Sequence, residues 1–475
     1  MQRAPRGDVH GAMFFERLKS EGLAHNSYLL GDGAEAVVVD PARDIDRYMA
    51  KAAEHQARIA LIFESHRNED YISGAKELAA KTGARVVRGR SPDYTVPYAE
   101  IADDGRRFRV GALEFQVIAT PGHTDDSISI AFADLATGQD WIGVFTGDVL
   151  FVGEVGRTDF YPDRAAEVAG LLHDSLHARL LPLGDHVVVY PAHGSGSVCG
   201  AGIAARDLTT LGYERRNNPR LALDRAAFIR MKLAEHHYYP PYFRRMEAAN
   251  QGRDPELGRL PACPPRTAEE IERACRSGAQ LLDVRADQAI AGAHIPGSFA
   301  IPADMLSSFA GWFLKEDRPI LLVLGQEADR ERVLRLLARI GYDSAEGFLA
   351  KGVEAWALAA KPVDSIPGVD VHRLRHRLLA NEPPVLLDVR RADEVAEGRI
   401  DGAHHIYVGQ IEQRLAEIPP GPIVTYCASG RRALVAAAAL RRLGRQDVSV
   451  CWGSMNAWKA AGYPVTKEPA VTLLE

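Results

Sequence analysis

Four apolar runs in this chain each stop at a loop that carries a histidine or an aspartate near a glycine, a proline or a change to polar residues. Residues 59–63 lead into Glu64-Ser65-His66-Arg67-Asn68-Glu69-Asp70-Tyr71, and residues 113–118 into Thr120-Pro121-Gly122-His123. Residues 141–145 lead into Thr146-Gly147-Asp148, and residues 186–190 into Pro191-Ala192-His193-Gly194. Short apolar runs bounded in this way read as strands, and the loops after them place metal-ligand side chains at the edge of a sheet. One such loop is weak, but four in order are hard to obtain by chance.

His66-x-Asn68-x-Asp70-Tyr71, followed by His123, Asp148 and His193, resembles the H-x-H-x-D-H … H … D … H series of the metallo-β-lactamase fold. Thr146-Gly147-Asp148, Gly156-Arg157-Thr158-Asp159-Phe160 and Pro191-Ala192-His193-Gly194 resemble the persulfide dioxygenase branch of that fold. The likeness covers about the first half of the chain. It departs at Asn68 and Tyr71, where the general motif has histidines.

In the two-zinc hydrolases of the fold, such as glyoxalase II, those histidines help hold the zinc ions and the counterpart of Asp148 bridges them. An Asn offers only a neutral amide oxygen and a protonated Tyr is a poor ligand, so a strong second site is not expected. His66, His123 and Asp148 remain, the two imidazoles and one carboxylate of the facial triad of non-heme Fe(II) oxygenases. The resemblance implies that these three hold one Fe(II) per chain. Around them Asn68, Asp70, Tyr71, His193 and Arg157 are expected to orient ligands or to hydrogen-bond bound water or oxygen. The bland alternative is a metal-free scaffold in which Asn68 and Tyr71 only pack.

A chain of 475 residues has room for about three domains, and 46% apolar with 25% charged residues is a globular composition. The formal charge of −6 gives no basic footprint for nucleic acid or an anionic membrane, which leaves a small-molecule substrate. No run reads as a signal peptide or a bilayer span. Cys199, Cys263, Cys275, Cys427 and Cys451 are odd in number and lack C-x-x-C spacing, as expected of reduced thiols in a cytoplasm.

In chain order, residues 1 to about 12 are expected to be loose. Residues 26–41 read as a hairpin and 44–57 as a helix; 73–82 read as a helix stopped by Gly83. The helical stretch 164–180 carries His173 and His177 on what should be a solvated face. From 201 to 245 the pattern is helical with a break at 211–219, and the aromatic and basic residues of 236–245 should cover the sandwich and form a domain contact. A Gly/Pro-containing stretch near 248–265 reads as a linker.

Beyond it lies an internal repeat with a period of about one hundred residues. Leu281-Leu282-Asp283-Val284-Arg285 returns as Leu386-Leu387-Asp388-Val389-Arg390, and Gly352-Val353-Glu354-Ala355-Trp356 returns in Gly453-Ser454-Met455-Asn456-Ala457-Trp458. Each copy alternates short strands with helices, so each should be a small α/β domain with a mostly parallel sheet.

The copies resemble rhodanese domains, and the second carries that family's C-x-x-G-x-R loop: Tyr426-Cys427-Ala428-Ser429-Gly430-Arg431-Arg432. Inward-pointing backbone N–H groups, Ser429 and Gly430 among them, can cradle an anion ahead of a helix N-terminus. Cys427 is then the nucleophile that takes sulfane sulfur, Arg432 the family's loop arginine and Arg431 a further anion contact. The other four cysteines lack such surroundings. The first copy has no Cys in this place, and Ala289 stands where the second has Glu394, so it is expected to be a packing spacer.

The expected fold class is therefore α/β, an αββα metallo-β-lactamase sandwich followed by two rhodanese-like α/β domains. The expected bounds are 1–250 for the dioxygenase-like domain, 251–264 for the linker, 265–364 for the Cys-less copy and 365–475 for the copy with Cys427. The resemblance implies a homo-oligomer that oxidises a small-thiol persulfide to sulfite with O2 at iron, and that moves sulfur between persulfide, sulfite and thiosulfate at Cys427. Two alternatives stay open, a glyoxalase II-like zinc thioester hydrolase and a sulfur carrier that uses only Cys427.

Overall fold

The computed structural model describes residues 13–197, 200, 202–253 and 256–467. By internal contacts the chain divides into two compact units, Met1–Arg259 with Ala338–Gly341, and Leu260–Leu337 with Tyr342–Glu475.

In the first unit, strands Phe14–Ser20, His25–Asp32, Glu35–Val39, Arg58–Glu64, Arg85–Arg88 and Glu100–Ile101 form one sheet in that order. The second sheet runs Thr209–Thr210, Val188–Pro191, Gly143–Gly147, Ile128–Asp134, Leu113–Ala119, Arg107–Val110. Side chains alternate across a strand, so each sheet has two faces to bury. Leu30, Val37, Val39, Leu61 and Phe63 meet Phe115, Val117, Ile130, Phe132 and Phe145 between the sheets, all at most 3% exposed. The alternate residues Leu29, Val38 and Ile62 face Tyr48 and Leu78 of helices Asp46–Glu54 and Ala75–Thr82. On the far side Ala131, Val144 and Val189 lie under Leu172, Leu176 and Phe228. The layers are αββα, the expected sandwich.

Helix Ala75–Thr82 does end on Gly83, whose φ is 73°. His173 and His177, by contrast, are not on a solvated face: their rings stack at 4.2 Å and His173 packs edge-on against Phe228 of helix Arg225–Ala234. The expected break at 211–219 is instead helix Leu211–Asn217, started by the Thr210 side chain, which accepts from the Tyr213 N–H. Local capping outweighed the Gly and the polar run.

The second unit holds two five-stranded parallel sheets among the described residues. One runs Pro265–Arg266, Ala345–Leu349, Ile320–Val323, Gln280–Asp283, Phe299–Ala300, and the other Gly368–Val369, Val448–Cys451, Ile423–Tyr426, Val385–Asp388, His404–His405. The same strand order in both confirms that the repeat in sequence is a repeat in fold. Among the described residues no helix is long and apolar enough to cross a membrane.

Candidate functional site

His66 follows strand Arg58–Glu64, His123 follows Leu113–Ala119, Asp148 follows Gly143–Gly147 and His193 follows Val188–Pro191. All four side chains are at most 1% exposed. Asp148 Oδ2 lies 3.9 Å from His66 Nε2 and 3.7 Å from His123 Nε2, and none of these three atoms has a hydrogen-bond partner in the protein. A buried polar atom without a partner costs about 1–3 kcal/mol. Two atoms closer than about 4.4 Å can share one ion at bonds of about 2.2 Å. The residues present therefore fit a single metal ion.

The opposite ring nitrogens are tied back. His123 Nδ1 donates to the Arg157 carbonyl at 2.9 Å, which leaves Nε2 as the lone pair facing inward. His66 Nδ1 meets the Ser65 hydroxyl, also at 2.9 Å. Two glycines permit this closeness: Gly147 has φ 52° and a Cβ there would meet Ser65 Oγ at 2.6 Å, while at Gly156 it would meet the Asp148 carbonyl oxygen at 1.9 Å. Burial lowers the His66 pKa to about 4, the neutral form that a ligand needs. Burial opposes ionisation of Asp148, yet His193, His66 and His123 hold it below the usual carboxylate range.

His193 is placed as an ion-pair partner. Its Nδ1 lies 2.7 Å from Asp148 Oδ1, and its Nε2 is in ion-pair contact with Asp70 Oδ2 at 3.0 Å. Burial lowers its pKa, but the two carboxylates win and raise it well above the usual value. His193 thus bridges Asp70 and Asp148 through both ring nitrogens. Asn68 Nδ2 donates to the His66 carbonyl at 3.3 Å. Tyr71 packs against His25 at 4.1 Å between ring centroids, and burial raises its pKa well above 10, so it stays a neutral phenol.

Two residues of this centre were not singled out in the sequence. Glu69, in the metal loop itself, brings Oε2 to 3.4 Å from His123 Nε2 and 3.9 Å from His66 Nε2. His66, Glu69 and His123 together form a group able to hold an ion. An acid between Asn68 and Asp70 was the available signal. Asn250 donates from Nδ2 to the carbonyls of Asn68 and Tyr71 at 2.7 and 2.8 Å, and its Oδ1 accepts from the Ser73 N–H at 2.8 Å. Nothing in the sequence marks it, because its partners are backbone atoms far away along the chain.

Aromatic rings wall the centre. Phe160 stands edge-on to His123 at 5.3 Å, and Tyr239 packs on Phe160 at 6.1 Å. The Arg157 guanidinium pairs with Asp159 and lies over Phe160 and Phe243, while the Arg157 carbonyl meets His123. The aromatic stretch 236–245, expected to cover the sandwich and form a domain contact, contributes Tyr239 to the ring cluster beside the centre.

A second candidate site lies in the other unit. Cys427 follows strand Ile423–Tyr426, and Gly430 at φ 114° turns the chain into helix Arg431–Arg442. The Gly430 N–H points at Cys427 Sγ at 3.1 Å. The loop is braced from behind: the Gly453 N–H donates to the Ser429 carbonyl at 3.0 Å, and the Cys427 N–H to Ser454 Oγ at 3.1 Å. Arg432 makes a two-pronged contact with Glu394 at 2.6 and 2.7 Å. Arg431, expected as a further anion contact, already has carboxylate partners. Its guanidinium reaches Asp287 at 3.0 Å and Asp304 at 2.6 Å, both in the Cys-less copy.

Burial pushes Cys451 up to about 12 and raises Cys263 and Cys275. Cys199 lies outside the described residues.

Residues 21–193 match the family described as "Metallo-beta-lactamase superfamily", and residues 267–359 and 371–461 match "Rhodanese-like domain". The chain is 25% identical over 214 residues to hydroxyacylglutathione hydrolase GloC of Haemophilus influenzae, covering 41% of this chain and 90% of that protein. It is 29% identical over 212 residues to the mitochondrial persulfide dioxygenase of Homo sapiens, covering 43% and 74% respectively. A solved metallo-beta-lactamase structure from Staphylococcus aureus is 29% identical, with a TM-score of 0.65 over 71% of this chain and 99% of that one.

Proposed function

Because the chain joins a metallo-β-lactamase superfamily domain to two rhodanese-like domains, we propose that it oxidises a small-thiol persulfide to sulfite at one iron and moves sulfane sulfur at Cys427. The observation that carries this reading is the convergence of His66 Nε2, His123 Nε2 and Asp148 Oδ2, all buried and without hydrogen-bond partners in the protein. These three would hold Fe(II), with Glu69 as a second carboxylate facing the same imidazoles. When bound, the iron supplies open positions for O2 and for the terminal sulfur of the persulfide. The overall change is balanced: RSSH, O2 and water give RSH, sulfite and two protons.

The chain's own groups fix the geometry. Ser65 and the Arg157 carbonyl hold the two imidazoles in one orientation, and Asn250 clamps the loop that carries Asn68 and Tyr71. Phe160 and Tyr239 keep the His123 side apolar. In the second unit the Cys427 thiolate attacks sulfane sulfur, the new S–S bond forms as the donor's S–S bond breaks, and the donor leaves as thiolate or sulfite.

The similarity to a hydroxyacylglutathione hydrolase supports a second reading, thioester hydrolysis at two zinc ions. Asn68, the neutral Tyr71 and the His193 ion pair weigh against it. Metal analysis after anaerobic purification separates the two. About one iron per chain is expected, lost in His123→Ala; two zincs would move the assignment to the hydrolase. Glu69→Gln is expected to weaken Fe(II) affinity about 10–100-fold, read by titration of the apoprotein.

A further inference from the structure

Both arginines of the Cys427 loop are committed to carboxylates, and for Arg431 those carboxylates belong to the Cys-less copy. Arg431 Nε donates to Asp287 Oδ2 at 3.0 Å and Nη2 to Asp304 Oδ1 at 2.6 Å. Arg432 gives Nη1 and Nη2 to Glu394. Arg391, the next cation along, pairs with Asp393 at 2.9 Å and reaches Glu394 at 3.8 Å, and Arg332 acts on Asp304. Four guanidiniums thus face four acids, and each already has a carboxylate to match it. Asp287 Oδ1 is buried without a hydrogen-bond partner, so an unmatched acceptor also lies in this contact.

A dianion needs cations that are not already neutralised. Thiosulfate brings two negative charges to the loop, and its transfer releases sulfite, which carries two as well. A thiol persulfide brings one at most. Resting on the sulfurtransfer reading above, we propose that Asp287 and Asp304 of the Cys-less copy make the Cys427 site selective for thiol persulfides over thiosulfate. They are positioning residues that act through Arg431.

The chemistry with the favoured donor balances without an oxidant. Cys427 thiolate attacks the terminal sulfur of RS–SH, the Cys–S–SH bond forms, the donor S–S bond breaks, and RS⁻ leaves and takes a proton from water. The Gly430 N–H, which points at Sγ, is a backbone donor, and its interaction with a singly charged sulfur needs no arginine. The same acids disfavour sulfite as the acceptor, so a thiol is the matching acceptor. In this light the Cys-less copy selects the donor for its neighbour.

Steady-state transfer to cyanide by the full chain, with cysteine persulfide and with thiosulfate as donors, tests this. In the native protein kcat/KM is expected to be higher for the persulfide. In the double variant Asp287→Asn, Asp304→Asn the thiosulfate-to-persulfide ratio of kcat/KM should rise about tenfold, mainly through the thiosulfate KM, and the rise should shrink at high salt. Asp304→Asn alone, at a side chain 46% exposed, should shift the ratio the same way by less, and it guards against misfolding of the double variant. A ratio that stays put in a folded variant overturns the proposal, as does a native preference for thiosulfate. If neither donor adds one sulfur to Cys427 by mass spectrometry, the sulfurtransfer reading itself fails and takes this inference with it.

Discussion

In the first rhodanese-like copy Asp283 pairs with Arg285 at 2.6 Å, and in the second Asp388 pairs with Arg390 at the same distance. Trp356 and Trp458 each donate their indole N–H to a proline carbonyl, Pro362 and Pro464, at 2.9 and 2.8 Å. These shared contacts tie strands Gln280–Asp283 and Val385–Asp388 to the segment that follows each, where Arg285 and Arg390 donate to the Ala293 and Gly398 carbonyls, and they pin the chain end of each domain. The copies part at one loop. Strand register places Leu324 where Cys427 stands, since Asp283 pairs with Val323 as Asp388 pairs with Tyr426. The first copy then makes a 3-10 turn, Glu327–Asp329, before its helix Arg330–Arg339, whereas the second runs from Cys427 through Gly430 into its helix. It also lacks an acid at Ala289 to match Glu394. The contacts that hold the sheet and those that do the chemistry are therefore separable, and only the latter are gone.

The sharpest break of that comparison is to exchange the thiols. Cys427→Ser should lower sulfur transfer by about a thousandfold or more, while iron content and persulfide-dependent O2 uptake stay at native values. Adding Leu324→Cys to that variant should restore nothing, because the first copy's loop has a different path and no counterpart of the Glu394–Arg432 pair. Recovered transfer would mean that loop shape and the pair are dispensable.

Glu394→Ala gives the second copy the residue of the first. Arg432, a mostly buried cation, would lose both hydrogen bonds, a cost of about 1–3 kcal/mol. A lower urea midpoint together with a fall in kcat for transfer is expected. A full-activity variant would show that Arg432 needs no partner.

The remaining thiols give a smaller, pH-dependent contrast. Burial raises Cys263 of the linker and Cys275 of the first copy, and it raises Cys451 of the second to about 12. A raised pKa keeps a thiol protonated until the pH approaches it, so alkylation of Cys451 at pH 8 should be slow and should climb steadily toward pH 11. Peptide mass spectrometry after timed iodoacetamide treatment reads this, and rapid labelling of Cys451 at pH 8 would contradict it.

The strands and the metal loops were legible because period-two apolar runs ending in Gly or Pro leave few choices, and the rhodanese repeat was legible because Asp-Val-Arg and the Trp recur at fixed places. What escaped was set by partners distant in sequence. Asn250 reaches Asn68 and Tyr71, and Asp287 and Asp304 reach Arg431, across more than a hundred residues each. Arg431 read as an anion contact because loop chemistry alone cannot show which carboxylates will already be bound to it. His173 and His177 read as solvated because the helix Arg225–Ala234 that covers them carries a weak apolar stripe. Glu69 was in plain view in the metal loop, but its direction depends on how Asn250 holds that loop.

The two tryptophans give the smallest and most even test. Each indole is at most 5% exposed, and each N–H donates to a proline carbonyl. Trp356→Phe and Trp458→Phe keep most of the apolar ring and remove one hydrogen bond, so each should cost about 1 kcal/mol, seen as two small, equal shifts in the urea midpoint. Neither change touches the Cys427 loop or its arginines, so the ratio of persulfide to thiosulfate turnover should hold in both. Unequal costs would locate a difference between the copies in how each domain is closed, outside the chemistry of the loop, and would show that the first copy has begun to lose its scaffold as well as its thiol.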